Sequence, residues 1–198
     1  MYVVTIGDPM AIFTSESQGR MRYAKKFHLT YGGAQSNVAI GLSRLGHKVG
    51  WISKVGNDEL GPGILGLLRS EGVDVSRVLY SQSSSTGLLL KEPTRINVFN
   101  IQYYRKNSAA SELKPEDLEE AYIAKAKYLH ITGITPALSE SCRLVISEAI
   151  RIAKKNNIKI IFDPNIRLKL WDEEKARNTL LSIIKEVDIV TCRHATVF

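Results

Sequence analysis

Short runs of β-branched and apolar residues alternate along the chain with longer stretches in which apolar positions step by three and four. Val3 to Ile6, Val49 to Ser53, Tyr128 to Thr132, Ile158 to Phe162 and Asp188 to Thr191 read as strands. Most are apolar at successive positions, as strands buried on both faces of a parallel sheet must be. Between them the pattern predicts helices over Ser36 to Leu45 and Asp58 to Glu71, stopped by Gly46 and Gly72 at C′. Three more follow. Pro115 with Glu116 and Asp117 suits a first helical turn, where a missing N–H leaves nothing unpaired and acids meet the positive helix end. In Ser139 to Asn156, the positions Cys142, Val145, Ile146, Ala149, Ile150 and Ala153 form one apolar stripe, that of a helix laid on a sheet. Asp172 to Glu186 repeats the design, with Asp172 as N-cap. The alternation predicts an α/β fold with a doubly wound, mainly parallel sheet flanked by helices and right-handed crossovers.

Two stretches break the alternation. Residues 10–31 and 86–105 hold β-like pieces, Met10 to Phe13, Tyr23 to Thr30, Gly87 to Lys91 and Asn97 to Tyr104, with no helix between them. They are expected to pair as a small antiparallel sheet outside the main one, as a lid or a dimer surface. Ser81 to Thr86 is a low-complexity run and reads as a flexible connector.

The chain has 198 residues, 44% hydrophobic and 24% charged, which fits one globular domain rather than disorder, a coiled coil or two full domains. A net charge of +7 and a pI near 9.4 favour anionic ligands such as nucleotides or carboxylated metabolites. The basic residues are dispersed, which argues against a nucleic-acid arm. Cys142 and Cys192 are far apart and form no CxxC, so neither a disulfide framework nor a thiolate metal site is expected, and a reducing cytoplasm fits. The N-terminus lacks a basic n-region and no 18-residue apolar run occurs, which disfavours secretion and membrane spanning. His28, His47, His130 and His194 show no metal-ligand spacing.

Gly61-Pro62-Gly63-Ile64-Leu65-Gly66 matches G-x-G-x-x-G, yet it follows Asp58-Glu59-Leu60 rather than a strand. It reads as an irregular helix start, not a dinucleotide site. Tyr31-Gly32-Gly33-Ala34-Gln35-Ser36-Asn37 is more informative. Paired glycines admit a ligand close to the backbone, and the helix behind them offers free N–H groups and the Asn37 amide to a polyhydroxylated molecule. Alternatively, Ser36 or Asn37 is only an N-cap.

These residues carry a resemblance to a known family. Gly32-Gly33-Ala34-Gln35-Ser36-Asn37-Val38-Ala39, followed by Gly46 and Gly56, resembles the N-terminal signature of the ribokinase-like (PfkB) sugar kinases. Gly56-Asn57-Asp58-Glu59-Leu60-Gly61 is similar to its G-x-D-x-x-G continuation, and Asp163-Pro164-Asn165-Ile166-Arg167 to its D-x-N-x-R segment. Gln35 departs from the small residue or proline usual there. The resemblance implies a β-lid over the sugar that is often a dimer clasp, so a homo-oligomer through the lid strands is expected. It also implies transfer of the ATP γ-phosphate to a primary hydroxyl, with ATP and Mg²⁺ as cofactors. Asp8, Thr132-Gly133 and Asp163 to Arg167 fall at carboxyl ends of strands, where open α/β sheets bind ligands.

Many members place an aspartate where Ile12 stands here, which argues against a plain ribose or fructose site. Tyr103-Tyr104-Arg105 together with Arg167 is similar to the arrangement in the family's 2-keto-3-deoxygluconate kinases. Two guanidinium forks suit the carboxylate of a sugar acid. By this resemblance Gly32, Gly33, Asn37, Tyr103, Arg105 and Arg167 hold substrate, and Asn165 and Arg167 border the nucleotide, with Arg167 toward phosphate, carboxylate or both. The family's glycine-rich D-x-x-G-A-G-D stretch, with its anion hole and catalytic aspartate, has no counterpart in this chain. Residues 1–198 are therefore expected to be one ribokinase-like domain without its C-terminal nucleotide-binding part, and the catalytic base is unassigned. A kinase for fructose, a nucleoside or another sugar, and a non-catalytic binding or dimerising module, are the competing expectations.

Overall fold

The computed structural model describes residues 1–95 and 98–191. Predictions that fall on Asn97, Cys192 and His194 lie outside the described residues. The main sheet is built from β1 (Val3–Ile6), β4 (Val49–Gly56), β5 (Asp74–Ser81), β8 (Tyr128–Thr132), β9 (Lys159–Asp163) and β10 (Ile189–Val190), in the order β10-β9-β8-β1-β4-β5. All of its pairings are parallel. Alternate residues of β1 face opposite sides: Val4 enters the core under α3 (Glu120–Ile123), α5 (Glu140–Lys155) and α6 (Glu173–Ile184), and Val3 the core under α1 (Ala34–Arg44) and α2 (Leu60–Ser70). Burial on both faces explains why the strands read as unbroken apolar runs.

The helix ends follow their chemistry. Asp172 Oδ1 accepts from the Lys175 N–H at 2.8 Å, so that N-cap stands where the sequence predicts it, and Ser139, where the longer helix is expected to begin, also caps, its Oγ accepting from the Cys142 N–H at 3.1 Å. Gly46 and Gly72 take φ of 86° and 77° just past α1 and α2, as C′ glycines should. The helix predicted from Pro115 shrinks to a 3₁₀ turn, Pro115–Asp117, and the four-residue α3. Leu118 and Glu119 between them are extended, which carries the chain away from the helical path. β5 and the short α4 (Ile134–Leu138) have no counterpart in the sequence pattern.

The second sheet contains β2 (Met10–Ser15), β3 (Phe27–Gly32), β6 (Leu88–Arg95) and β7 (Val98–Tyr104), ordered β3-β2-β6-β7. It is mixed, not antiparallel as expected. Both hairpins are antiparallel, but they join through a parallel β2–β6 pairing that aligns Ala11 with Leu88 and Thr14 with Lys91. The reason is the route of the chain: β2 and β6 each leave the main sheet, after β1 and β5, in the same direction. Each then returns along its own hairpin partner.

The Ser81 to Thr86 run is not a loose connector. Ser81, Ser83 and Ser84 donate to the Glu112 carboxylate at 2.6, 2.9 and 2.5 Å, and Thr86 donates from its backbone and hydroxyl to Asp58 at 2.7 and 2.9 Å. Residues 61–66 belong to the regular helix α2 rather than to an irregular start. Their glycines answer to packing, since a Cβ on Gly63 would lie 2.1 Å from the Tyr31 hydroxyl oxygen.

Candidate functional site

The carboxyl ends of β1 and β9 meet the second sheet, through the Asp8–Arg105 contact and the cleft between β7 and residues 166–170, and small or tightly bonded residues crowd them. Gly33 N-caps α1, so neither Ser36 nor Asn37 does; Ser36 Oγ instead donates back to the Gly33 carbonyl at 3.1 Å. A Cβ on Gly33 would come within 2.6 Å of the Asp8 carbonyl oxygen, so only glycine lets the α1 entrance pass this close to the end of β1. Gly133 is confined in the same way, its Cβ direction meeting the Pro164 carbonyl at 2.2 Å.

Gln35 lies fully buried behind this surface, where Nε2 donates to Thr132 Oγ1 at 2.6 Å and to Thr135 Oγ1 at 3.2 Å. Asp58 is bonded into the fold. Burial opposes its charge, yet N–H donors from Thr86, Gly61 and Leu60 with the Thr86 hydroxyl outweigh it and hold the carboxyl below the usual range.

The predicted substrate residues divide. Tyr103, Arg105 and Arg167 line one cleft of about 790 Å³ between β7 and the segment after β9. Gly32, Gly33, Asn37 and Asn165 are not on its wall. Asn37 is exposed on the first turn of α1, and Asn165 sits two residues before Arg167 with φ of 36°, its N–H donating to Asp163 Oδ1 at 3.0 Å. A left-handed non-glycine residue at a strand end is uncommon and tolerated best by Asn or Asp.

Arg105 is buried rather than solvated. Its Nη1 donates to Asp8 Oδ2 at 2.8 Å, and its guanidinium lies 4.8 Å from the Tyr103 ring centre. Burial pushes the Asp8 carboxyl up, against the pull of the neighbouring cation. Lys169 donates to the Ile101 carbonyl at 3.2 Å and stands 5.8 Å from the same ring. With Lys106 and Arg167, four cations line the cleft, and no carboxylate is among its lining residues. Sequence reasoning missed Asp8 as the partner of Arg105, and Lys106 and Lys169 as lining. No local signal joins residues that meet only when two sheets pack.

The remaining candidates for chemistry are structural. His130 bonds Thr5 Oγ1 through Nδ1 at 2.9 Å and burial pushes it down to about 4, so it is a neutral core residue. The Cys142 thiol is buried, pushed up to about 11 and donated to the Ala110 carbonyl at 3.3 Å. Among the described residues, no three of His, Cys, Asp and Glu gather as a metal site.

Known proteins give this geometry a context. A 2-dehydro-3-deoxygluconokinase of Bacillus subtilis (strain 168) is 45% identical over 172 residues, which cover 86% of this chain and 53% of that protein. The solved structure of a 2-dehydro-3-deoxygluconokinase from Thermotoga maritima superposes with a TM-score of 0.90 at 30% identity, over 97% of this chain and 59% of that one. A putative ribokinase II of E. coli, solved in complex with ATP and Mg²⁺, gives a TM-score of 0.88 at 25% identity, over 96% and 61%. The chain spans about half the length of the curated relatives it matches. The profile of the pfkB family carbohydrate kinases matches residues 1–195, and with these likenesses it establishes that the chain belongs to the PfkB family of carbohydrate kinases.

Proposed function

We propose that the chain is the sugar-binding and lid portion of a kinase that phosphorylates a primary hydroxyl of a sugar acid, with 2-keto-3-deoxygluconate as substrate. The observation that carries this reading is the cleft itself, where Tyr103 lies beside Arg105, Arg167 and two lysines with no acid on the wall. A neutral sugar has no use for the positive charge that Arg167, Lys106 and Lys169 place beside the Arg105–Asp8 pair, whereas a carboxylate takes a bidentate fork and the field around it. The relatives called 2-dehydro-3-deoxygluconokinase support the same substrate.

The residues toward ATP are Asn165 and Arg167, an amide and a guanidinium that suit phosphate oxygens. When bound, ATP would supply the phosphoryl group that the sugar hydroxyl accepts. Among the described residues no three of His, Cys, Asp and Glu gather to hold Mg²⁺.

We also propose a homo-oligomer through the lid. β3 and β7 are the outer strands of the lid sheet and expose Phe27, Leu29, Val98, Phe99 and Tyr104. Strand edges of this kind readily add another chain. Light scattering that finds a strict monomer at high concentration removes the clasp. A cytoplasmic location is proposed from the buried free thiol of Cys142, and no described helix is long and apolar enough to cross a membrane.

The test of the substrate is calorimetric titration of the chain with 2-keto-3-deoxygluconate, fructose and ribose. Binding of the acid in clear preference to the neutral sugars is expected. Equal binding of fructose would favour a neutral-sugar kinase, and no binding of the acid would remove the reading.

A further inference from the structure

Asp8 follows β1 of the main sheet and Arg105 follows β7 of the lid sheet, so their ion pair ties the two sheets together at the cleft. The side chains are 2% and 4% exposed, respectively. Water therefore does little to loosen the bond. Asp8 is itself confined, because its carbonyl oxygen packs against Gly33 at a distance that no side chain would permit.

A guanidinium grips a carboxylate through a forked edge. Three other arginines of this chain do so with Nε and Nη2: Arg44 on Glu71, Arg143 on Glu140 and Arg151 on Glu148. In Arg105 the acid sits on Nη1 instead. Its Nε is buried and has no hydrogen-bond partner among the described residues. A buried donor left unpaired costs stability, so such a group in a cleft wall points to a ligand. Tyr103 lies against the guanidinium and the Asp8 bond fixes its rotation, which leaves the Nε–Nη2 edge as the one with no partner among the described residues.

We infer that Asp8 is a positioning residue for substrate recognition, holding Arg105 by Nη1 so that its Nε–Nη2 edge receives the carboxylate of the sugar acid. This rests on the cleft being the sugar-acid site. Within the pair the charges nearly cancel, so Arg167, Lys106 and Lys169 supply the attraction and Arg105 supplies the orientation. Asp8 thus acts on an acidic ligand in two opposed ways. Its charge repels the ligand, and its hydrogen bond prepares the fork.

The experiment reads which effect wins. The full chain and its Asp8→Asn, Arg105→Ala and doubly substituted forms are titrated with 2-keto-3-deoxygluconate. Asp8→Asn keeps the shape and removes the charge; the inference expects a roughly tenfold loss of affinity, and almost none when Arg105→Ala is already present. Unchanged or tighter binding by Asp8→Asn, beside a clear loss in Arg105→Ala, overturns the positioning role and leaves the site intact. Unchanged binding by Arg105→Ala overturns the cleft reading instead. A second measurement needs no variant: NMR of the arginine side chains should show distinct Nη1 and Nη2 signals for Arg105 in slow rotation. A single averaged signal would contradict the inference even if Asp8→Asn failed to fold.

Discussion

Gln35 fills the space above Gly7: a Cβ on Gly7 would lie 2.1 Å from Gln35 Cδ, while the Gln35 amide reaches Thr132 on the neighbouring strand β8. One side chain from the first turn of α1 thus bridges the ends of β1 and β8, the floor beneath the candidate site. Gln35→Ala should cost about 2–4 kcal/mol, from an unfilled volume and a lost buried donor. Gly7→Ala should also destabilise, because its methyl has no space while Gln35 is in place. The two substitutions together should cost less than their sum, since shortening Gln35 vacates the volume that the methyl needs. Denaturant unfolding of the two single variants and the double variant checks this, and simple additivity would show that the contact does not matter.

Acid should weaken the fold through His130. Its folded pKa lies near 4, below the ordinary 6.5, because burial disfavours the charged ring. The unfolded chain binds a proton below about pH 6.5 and the folded chain does not until about pH 4, so stability falls as pH drops through that window. The full loss is about 3 kcal/mol. Stability profiles of the unsubstituted chain and His130→Gln should diverge between these values, with a flatter slope in the variant. Parallel profiles would contradict the assignment.

The serine run should respond to Glu112. Three serine hydroxyls end on that carboxylate and hold it below the usual range, with the bonds from Ser81 and Ser84 as the main causes. Glu112→Ala should release residues 81–86, seen as faster amide exchange there, with a global loss of about 1 kcal/mol. Unaltered exchange in the run would return it to the status of a plain connector.

The fold was largely legible because both-face burial writes itself into sequence: β1, β4 and β8 begin where the apolar runs do, and Ser139 and Asp172 cap where capping chemistry stands. β5 escaped notice because it is an edge strand, and Asp74, Ser76 and Arg77 interrupt its apolar positions. The second sheet's strands were legible but their directions were not, since pairing sense depends on where each hairpin leaves the core. At the candidate site, motif resemblance singles out Tyr103, Arg105 and Arg167, and these three line one cleft. It could not find Asp8 behind Arg105, or the buried strap of Gln35, because those contacts join segments 97 residues apart.

The central claim is that the cleft recognises a carboxylate, and Arg167 tests it most directly because it is exposed and contributes no buried bond to the core. The measurement is the affinity of the unsubstituted chain and of Arg167→Ala for 2-keto-3-deoxygluconate and for fructose. The account predicts a loss of about tenfold or more for the acid and little change for fructose, with the melting temperature nearly unmoved. Equal losses for both sugars, or none for the acid, would contradict it.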